Sequence, residues 1–310
     1  MDSEITPLKE TIAELSNSDK PLLYSRLADL SNLNPAELAA WEQAWATIEP
    51  ERQRQIMSRL IELAEDNVEL DFKSIFRSRL EDRDSEVQSK AINGLWESED
   101  ASLVDPLIHL LEQAGSEQVQ AAAAAGLGKF AMLAEHNKLR SSHTDKICQA
   151  LLTAINDKNL TPEVRLQALA AAAPLSRPRV KEAIATAYRS HDTRGKINAI
   201  YAMGKNSDRS WLPILLEELS SDDTATRYEA AVACGELGEE AAVPLLIRLT
   251  DDADTDVQLS AFQALGKIGG AQAKTHLQHC RKNPGEVIRQ AAEQALEELS
   301  AGEDPLSFKF

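Results

Sequence analysis

The sequence has few of the residues that build disulfide frameworks, β-sheets or membrane spans. Aromatic residues make up 5% of the 310 residues, and the 3 cysteines are widely separated. An odd number of scattered cysteines is typical of reduced thiols and excludes a disulfide framework. No apolar run approaches the roughly eighteen residues of a membrane helix, and the first ten residues lack the basic segment of a secretory signal. We therefore expect a soluble cytoplasmic protein.

Positive charge is also scarce, because 33 Lys and Arg residues face 50 Asp and Glu residues, for a net charge of −17. A protein that binds a phosphate backbone needs an excess of basic residues, so nucleic acid is not an expected partner. Alanine and leucine, by contrast, are abundant, with 45 and 40 residues. Both are strong helix formers, and their abundance predicts an all-α fold.

A repeat of 31 residues organises most of the chain. It is clearest in four positions that follow one another at this interval: Gly195, Thr226, Val257 and Ile288. We call this position offset 0; alanine stands at offset 4 in each unit and again at offset 7. Earlier units begin at Val87, Val119 and Val164, with an interval of 45 residues before Val164. Seven units are therefore visible.

Each unit is predicted to be a helical hairpin. Offsets 0, 4, 7 and 8 share one stripe of a helix, and alanine on that stripe permits close packing. A glycine stands at offset 9 in several units, as in Gly204, Gly235 and Gly266, and it is predicted to end the helix at the C′ position. A second apolar segment entered through a proline, such as Pro213 or Pro244, supplies the other helix.

The hairpins are predicted to stack into an α-solenoid, since neither helix of a hairpin can bury its apolar face alone. Residues 1–71 lack the register and are predicted to be an N-terminal helical cap. Residues 72–300 form the repeat region, and residues 301–310 are a tail in which Phe308 and Phe310 are either loose or a hook for another molecule. The run from Asp222 to Gly238 resembles the HEAT-like repeats of the phycobilin-lyase type.

The resemblance implies a fold more strongly than an activity, because repeats of this kind serve lyases, hydroxylases, adaptors and scaffolds. A di-iron hydroxylase of this class would need His-Glu pairs in several repeats, and only Glu229 occupies such a position here. The main prediction is a non-catalytic scaffold or adaptor, without cofactor or metal, that binds another protein on the concave helical face. The alternative is a bilin lyase or a chaperone-like factor of the phycobilin-lyase type.

The predicted partner surface consists of outward positions on the second helix of each hairpin, at offsets 3, 6 and 10, with basic residues at offset 1 near the rim. Tyr and Arg are enriched in protein interfaces, which favours these positions. The predicted contact residues are Arg165, Lys196, Asn198, Tyr201, Lys205, Arg227, Tyr228, Glu229 and Gln263.

Two other groups have alternative interpretations. His276 and Cys280 share a helix face and are either a metal-binding pair or a partly buried histidine beside a core thiol. Asp252, Asp254 and Asp256 have the spacing of a calcium loop, but the glycine and glutamate that complete one are missing. Capping of the following helix is the other interpretation of this triplet.

Charge and length also vary along the repeats. Residues 141–205 have a net charge of +5 and residues 206–256 a net charge of −10, which predicts either a bipolar partner surface or acidic helix caps. The extra residues of the 45-residue interval fall between Lys129 and Thr144, where a longer connection, an extended helix or an anion contact would fit. Trp41 and Trp45 are expected to pack the N-terminal cap, while Trp96 and Trp211 are candidates for exposure.

Overall fold

The computed structural model describes residues 5–190, 192–282 and 285–303, and all regular structure within these ranges is helical. The predicted all-α fold class is therefore confirmed for the described part of the chain. The predicted tail beyond residue 303, with Phe308 and Phe310, lies outside the described residues.

Four helices precede the repeats, close to the positions that the prolines predict. They bury Trp41 and Trp45, whose rings are 0% and 3% exposed and pack at 5.5 Å between centroids. The expected role of these two tryptophans in packing the first helices is thus confirmed. The four helices are α1 (Ile5–Leu15), α2 (Tyr24–Ala28), α3 (Pro35–Trp45) and α4 (Pro50–Asp66).

Seven helical hairpins follow, one for each unit of the repeat. The first helices of the hairpins are α5 (Lys73–Ser78), α7 (Val104–Gln113), α9 (Ser141–Asn156), α11 (Pro178–Tyr188), α13 (Leu212–Glu218), α15 (Val243–Leu249) and α17 (Gly270–Cys280). The second helices are α6 (Ser85–Gly94), α8 (Glu117–Glu135), α10 (Pro162–Ala172), α12 (Thr193–Asn206), α14 (Thr224–Leu237), α16 (Thr255–Ile268) and α18 (Glu286–Glu303). A short 3₁₀ turn precedes α7, α13 and α15.

The chain divides into two compact units, residues 1–171 and 172–310. In the first unit, α4 packs on α6 and α6 on α8. In the second unit, the second helices pack in chain order, α12 on α14, α14 on α16 and α16 on α18. Each unit is therefore a layered stack of hairpins. The predicted boundary of a cap at residue 71 stays a prediction, since α4 continues into the packing of α6.

The alanine stripe lies where the register places it. The alanine at offset 4 is 0% exposed in all seven second helices, namely Ala91, Ala123, Ala168, Ala199, Ala230, Ala261 and Ala292. Offsets 7 and 8 are buried as well in α12, α14 and α16. The small side chains allow the backbones of successive second helices to approach each other, and the approach buries the apolar side of each helix.

The glycines at offset 9 do not end their helices, so that prediction is wrong. Gly204 lies inside α12, two residues before the end of the helix, and Gly235 lies inside α14 in the same way. A methyl group on Gly204 would lie 2.8 Å from Cα of Ala233, and one on Gly235 would lie 3.0 Å from Cα of Ala264. The glycines are therefore contact points between neighbouring helices.

The helix ends are formed three residues further along. Ser207 after α12 and Gly238 after α14 adopt the left-handed conformation, with φ of 54° and 72°. A left-handed residue at the C-terminus satisfies the last carbonyl groups of a helix. Packing glycine and capping residue are thus separate positions of the repeat.

Aspartates at offset −3 begin the second helices. The carboxylates of Asp84, Asp192, Asp223 and Asp254 each accept hydrogen bonds from backbone N–H groups of the first helical turn. These bonds satisfy donors that have no partner inside the helix. In the acidic triplet, Asp254 is therefore the cap of α16, which supports the capping interpretation of those residues.

Trp211 joins the fourth and fifth hairpins. Its Nε1 donates to Oδ1 of the buried Asn206 at 3.0 Å, and Nδ2 of Asn206 donates to the carbonyl of Ala173 at 2.8 Å. The side chain of Trp211 is 4% exposed, because this network and the apolar contacts around it enclose the ring. The expectation that Trp211 is a candidate for exposure is wrong.

Trp96 differs from Trp211 in being 59% exposed. It stands at offset 9, where other second helices have glycine, and α6 ends two residues before it at Gly94. A tryptophan has no room at a helix contact that accepts only hydrogen, so the helix stops and the ring turns outward. In the next hairpin, the additional residues extend α8 to Glu135, which is the extended-helix alternative for that segment.

The glycine contact is tested by adding one methyl group. Gly204→Ala is expected to destabilise the protein by about 1–3 kcal/mol, because the methyl group meets the backbone of Ala233 and the helices must separate. Urea unfolding measures this change. Gly115→Ala is the matched control, since a methyl group there has nothing within 4 Å, and it is expected to be neutral or slightly stabilising. Equal stability of both variants would contradict the assignment.

The aspartate contacts predict a loss of stability in acid. Bonds from Ser102 and Arg77 lower the pKa of Asp100 from 3.8 to about 2, and bonds from Lys181 and Ser210 do the same for Asp208. A carboxyl with a lowered folded pKa stabilises the fold above its unfolded pKa and loses that effect as pH falls through the folded value. Unfolding free energy is expected to fall between about pH 4 and pH 2. Asp208→Asn should flatten this dependence; an unchanged slope would contradict it.

Candidate interaction surface on the second helices

The predicted contact residues lie mainly in the unit of residues 172–310. Lys196, Asn198, Tyr201 and Lys205 belong to α12, Arg227, Tyr228 and Glu229 to α14, and Gln263 to α16. Arg165 belongs to α10 in the other unit. Eight of the nine predicted residues are therefore carried by three second helices that pack side by side.

Residues at offset 10 form an ion-pair ladder across these three helices. The carboxylate of Glu236 on α14 is 3.1 Å from Nζ of Lys205 on α12 and 2.6 Å from Nζ of Lys267 on α16. The two ammonium groups, Lys267 first, lower the pKa of Glu236. The ladder shows that residues of equal offset face each other on adjacent helices. Glu236 and Lys267 were not among the predicted contact residues, although their shared offset is visible in the sequence.

Lys196 is engaged with the first helices of its own unit. Its Nζ lies 2.8 Å from Oε1 of Glu218, which is buried, and 5.5 Å from the ring centroid of Tyr188. The hydroxyl of Tyr188 donates to the same carboxylate. Burial, and then the bond to Glu218, raise the pKa of Tyr188 well above its ordinary value. Sequence reasoning missed this cluster because Glu218 occupies an otherwise apolar helix.

Arg227 connects two neighbouring repeats. Its guanidinium binds the carboxylate of Asp252 through two nitrogens, at 2.8 and 3.0 Å, and donates to the carbonyls of Ser221 and Asp222. The arginine and aspartate side chains are only 16% and 8% exposed. A bidentate pair of this kind is among the stronger polar contacts in proteins. The guanidinium of Arg227 is therefore occupied within the chain.

The remaining predicted residues make few bonds within the chain. Tyr228 is 40% exposed, and Gln263 is also exposed. The ring of Tyr201 has Nζ of Lys205 at 5.7 Å from its centroid. Oδ1 of Asn198 is buried without a hydrogen-bond donor, and burial raises the pKa of the Glu229 carboxyl. In the other unit, Nε of Arg165 is likewise buried without an acceptor.

His276 and Cys280 form a compact polar cluster with Thr250. Nε2 of His276 lies 2.9 Å from the Thr250 hydroxyl and 3.4 Å from Sγ of Cys280, and its ring stacks on Phe262. Burial lowers the pKa of His276 and raises the pKa of Cys280, so both groups are held in their neutral forms. Within the described ranges, no group of three or more His, Cys, Asp or Glu side chains is arranged to hold a metal ion.

The HEAT-repeat family model matches two stretches, residues 74–159 and 212–297, which together make up more than half of the sequence. The chain belongs to the HEAT-repeat family. The two matched stretches contain α5–α9 and most of α13–α18, so the repeat predicted from the 31-residue register is confirmed. The matched model describes HEAT repeats in general, and the phycobilin-lyase resemblance stays a prediction.

Solved structures share the fold at low sequence identity. A chain of the Kap95:Nup1 complex is 12% identical, with a TM-score of 0.53, and the match covers 95% of this chain and 46% of that one. Human deoxyhypusine hydroxylase in complex with glycerol is 16% identical over 96% of this chain and 98% of its own, with a TM-score of 0.35. An engineered protein is 18% identical over 96% and 89%, with a TM-score of 0.41.

Two further comparisons give negative results. No curated protein sequence matches the chain. Across residues 5–190, 192–282 and 285–303, none of the helices has the length and apolar character needed to cross a bilayer.

The contact between Arg227 and Asp252 is expected to stabilise the fold. Arg227→Ala and Asp252→Asn should each destabilise the protein by about 1.5–3 kcal/mol, since each leaves a partly buried partner without its charge-assisted bonds. The double variant should lose less than the sum of both single losses. Thermal or urea unfolding of the four proteins of this cycle measures the coupling. Strict additivity would show that the contact contributes nothing.

Proposed function

We propose that this HEAT-repeat chain is a non-catalytic scaffold that binds another protein through the outward side of α12, α14 and α16. The observation that carries the proposal is the pair of tyrosines beside an exposed glutamine: Tyr201, Tyr228 and Gln263 have no hydrogen-bond partner for their polar atoms among the described residues. Tyrosines in such positions supply contact area at a low cost in conformational entropy.

The family supports a binding role. A stack of repeats presents a long row of helices to a partner, and this geometry suits recognition of an extended surface. The chain of similar fold in the Kap95:Nup1 complex was solved in an assembly of proteins. The predicted concave position of the partner surface and the cytoplasmic location are parts of the same proposal.

The ion pairs on these helices define which residues of the predicted set contact the partner. Lys205 and Lys196 each hold a carboxylate of the chain, and Arg227 holds Asp252. We assign them to shaping the surface. Asn198, Tyr201, Tyr228, Glu229 and Gln263 are assigned to direct contact. Arg165, in the other unit, is proposed as a separate contact residue.

Photo-crosslinking tests the proposal. A photoreactive phenylalanine at position 228 or 263 of the full chain is expected to form an adduct with a protein partner in extracts of the source cells, and mass spectrometry identifies that partner. The double variant Tyr201→Ala, Tyr228→Ala should weaken the purified complex by about thirty-fold or more, since truncating an aromatic hot spot costs roughly 2 kcal/mol. Isothermal titration calorimetry measures this loss.

The matched control is the same photoreactive residue at position 182, an exposed site on the first helix α11. It should give no adduct. Circular dichroism should show that the tyrosine variants unfold at the same temperature as the parent protein. Adducts only from position 182, or unchanged affinity of the tyrosine variant, would contradict the proposed surface.

A further inference from the structure

The charges on the proposed surface indicate the chemistry of the partner. Every cationic side chain of α12, α14 and α16 has a partner within the chain. Lys205 and Lys267 share Glu236, Lys196 binds Glu218, and Arg227 binds Asp252. A partner with acidic groups would have to compete with these carboxylates for the same ammonium and guanidinium groups.

The acidic side chains of the three helices leave a different remainder. Glu236 is used by the two lysines, and Asp256 lies in the first turn of α16. Glu229 has no hydrogen bond and no ion pair. It therefore provides the one unmatched charge on the outward side of these helices beyond their first turns, and that charge is negative.

The surroundings of Glu229 extend this need for a donor. Offsets are aligned across α12 and α14, as the Lys205–Glu236 pair shows, so Asn198 and Glu229, both at offset 3, lie opposite each other. Oδ1 of Asn198 lacks a donor as well. Two adjacent acceptors without donors are unfavourable in a partly buried site, and a donor group from a partner would satisfy them.

Aromatic rings flank the same position. Tyr228 is the helical neighbour of Glu229, and Tyr201 stands one turn from Asn198 on α12. The ring of Tyr201 already has one ammonium group near it, that of Lys205 at 5.7 Å. Tyrosine rings attract cations, and the attraction is strongest where water is excluded.

We infer that the partner presents a lysine or arginine side chain, and that Glu229 receives this cation between Tyr201 and Tyr228. The inference rests on the proposed function, because it specifies the partner of the same surface. Burial raises the pKa of the Glu229 carboxyl, which shows that water solvates this group poorly in the unbound chain. An incoming cation would stabilise its charged form.

Selection from a phage-displayed library of random twelve-residue peptides tests the inference on the full chain. The enriched peptides are expected to carry lysine or arginine at a fixed position. Replacing that residue by norleucine or citrulline should weaken binding at least ten-fold. Glu229→Gln should weaken the cationic peptide to the same extent and leave the neutral peptide unchanged. Glu182→Gln on α11 is the matched control and should bind both peptides like the parent chain.

Hydrogen exchange of the complex separates two kinds of failure. If the peptides protect the amides of α12, α14 and α16 but carry no fixed cation, or bind Glu229→Gln as tightly as the parent, the inference is overturned and the proposed function stands. If no peptide is enriched, or if the peptides protect only the first helices, the inference and the proposed surface fail together.

Discussion

A glycine of one second helix lies against an alanine of the next at three consecutive places in residues 172–310. A methyl group on Gly204, Gly235 or Gly266 would come within 3.0 Å of the neighbouring helix backbone. The rest of the stack depends on this close approach. It brings residues of equal offset opposite each other, and that alignment allows Glu236 to reach lysines on both sides. Helix spacing and surface electrostatics therefore share one cause, the absence of a side chain at offset 9.

The hairpins were predictable because their determinants are local and repeated. The alanine at offset 4 and the aspartate at offset −3 each act within one or two helical turns, so their spacing alone indicates the buried side and the first residue of a helix. The glycine at offset 9 was misinterpreted because a capping glycine and a packing glycine look the same in sequence. What separates them is the alanine of another helix, 29 residues away in the chain in the case of Gly204 and Ala233.

The candidate surface was predictable in position but not in charge. Periodicity places Tyr201 and Glu229 on the outward side of their helices, and the structure agrees. Whether Lys196 or Arg227 is available to a partner depends on carboxylates of other helices, Glu218 and Asp252. The acidic block of residues 206–256 is spent largely in this way and in helix caps. The net charge of a sequence block therefore predicts little about the charge that a partner meets.

The distribution of tryptophans between the two units has an experimental consequence. Trp211 is the single tryptophan of residues 172–310, and it is enclosed by a hydrogen bond to Asn206. The other three belong to residues 1–171. A chain without Trp41, Trp45 and Trp96 would therefore report the melting of its C-terminal unit alone through intrinsic fluorescence. Comparison with the far-ultraviolet signal of all helices would show whether the two units unfold as one cooperative block or in succession.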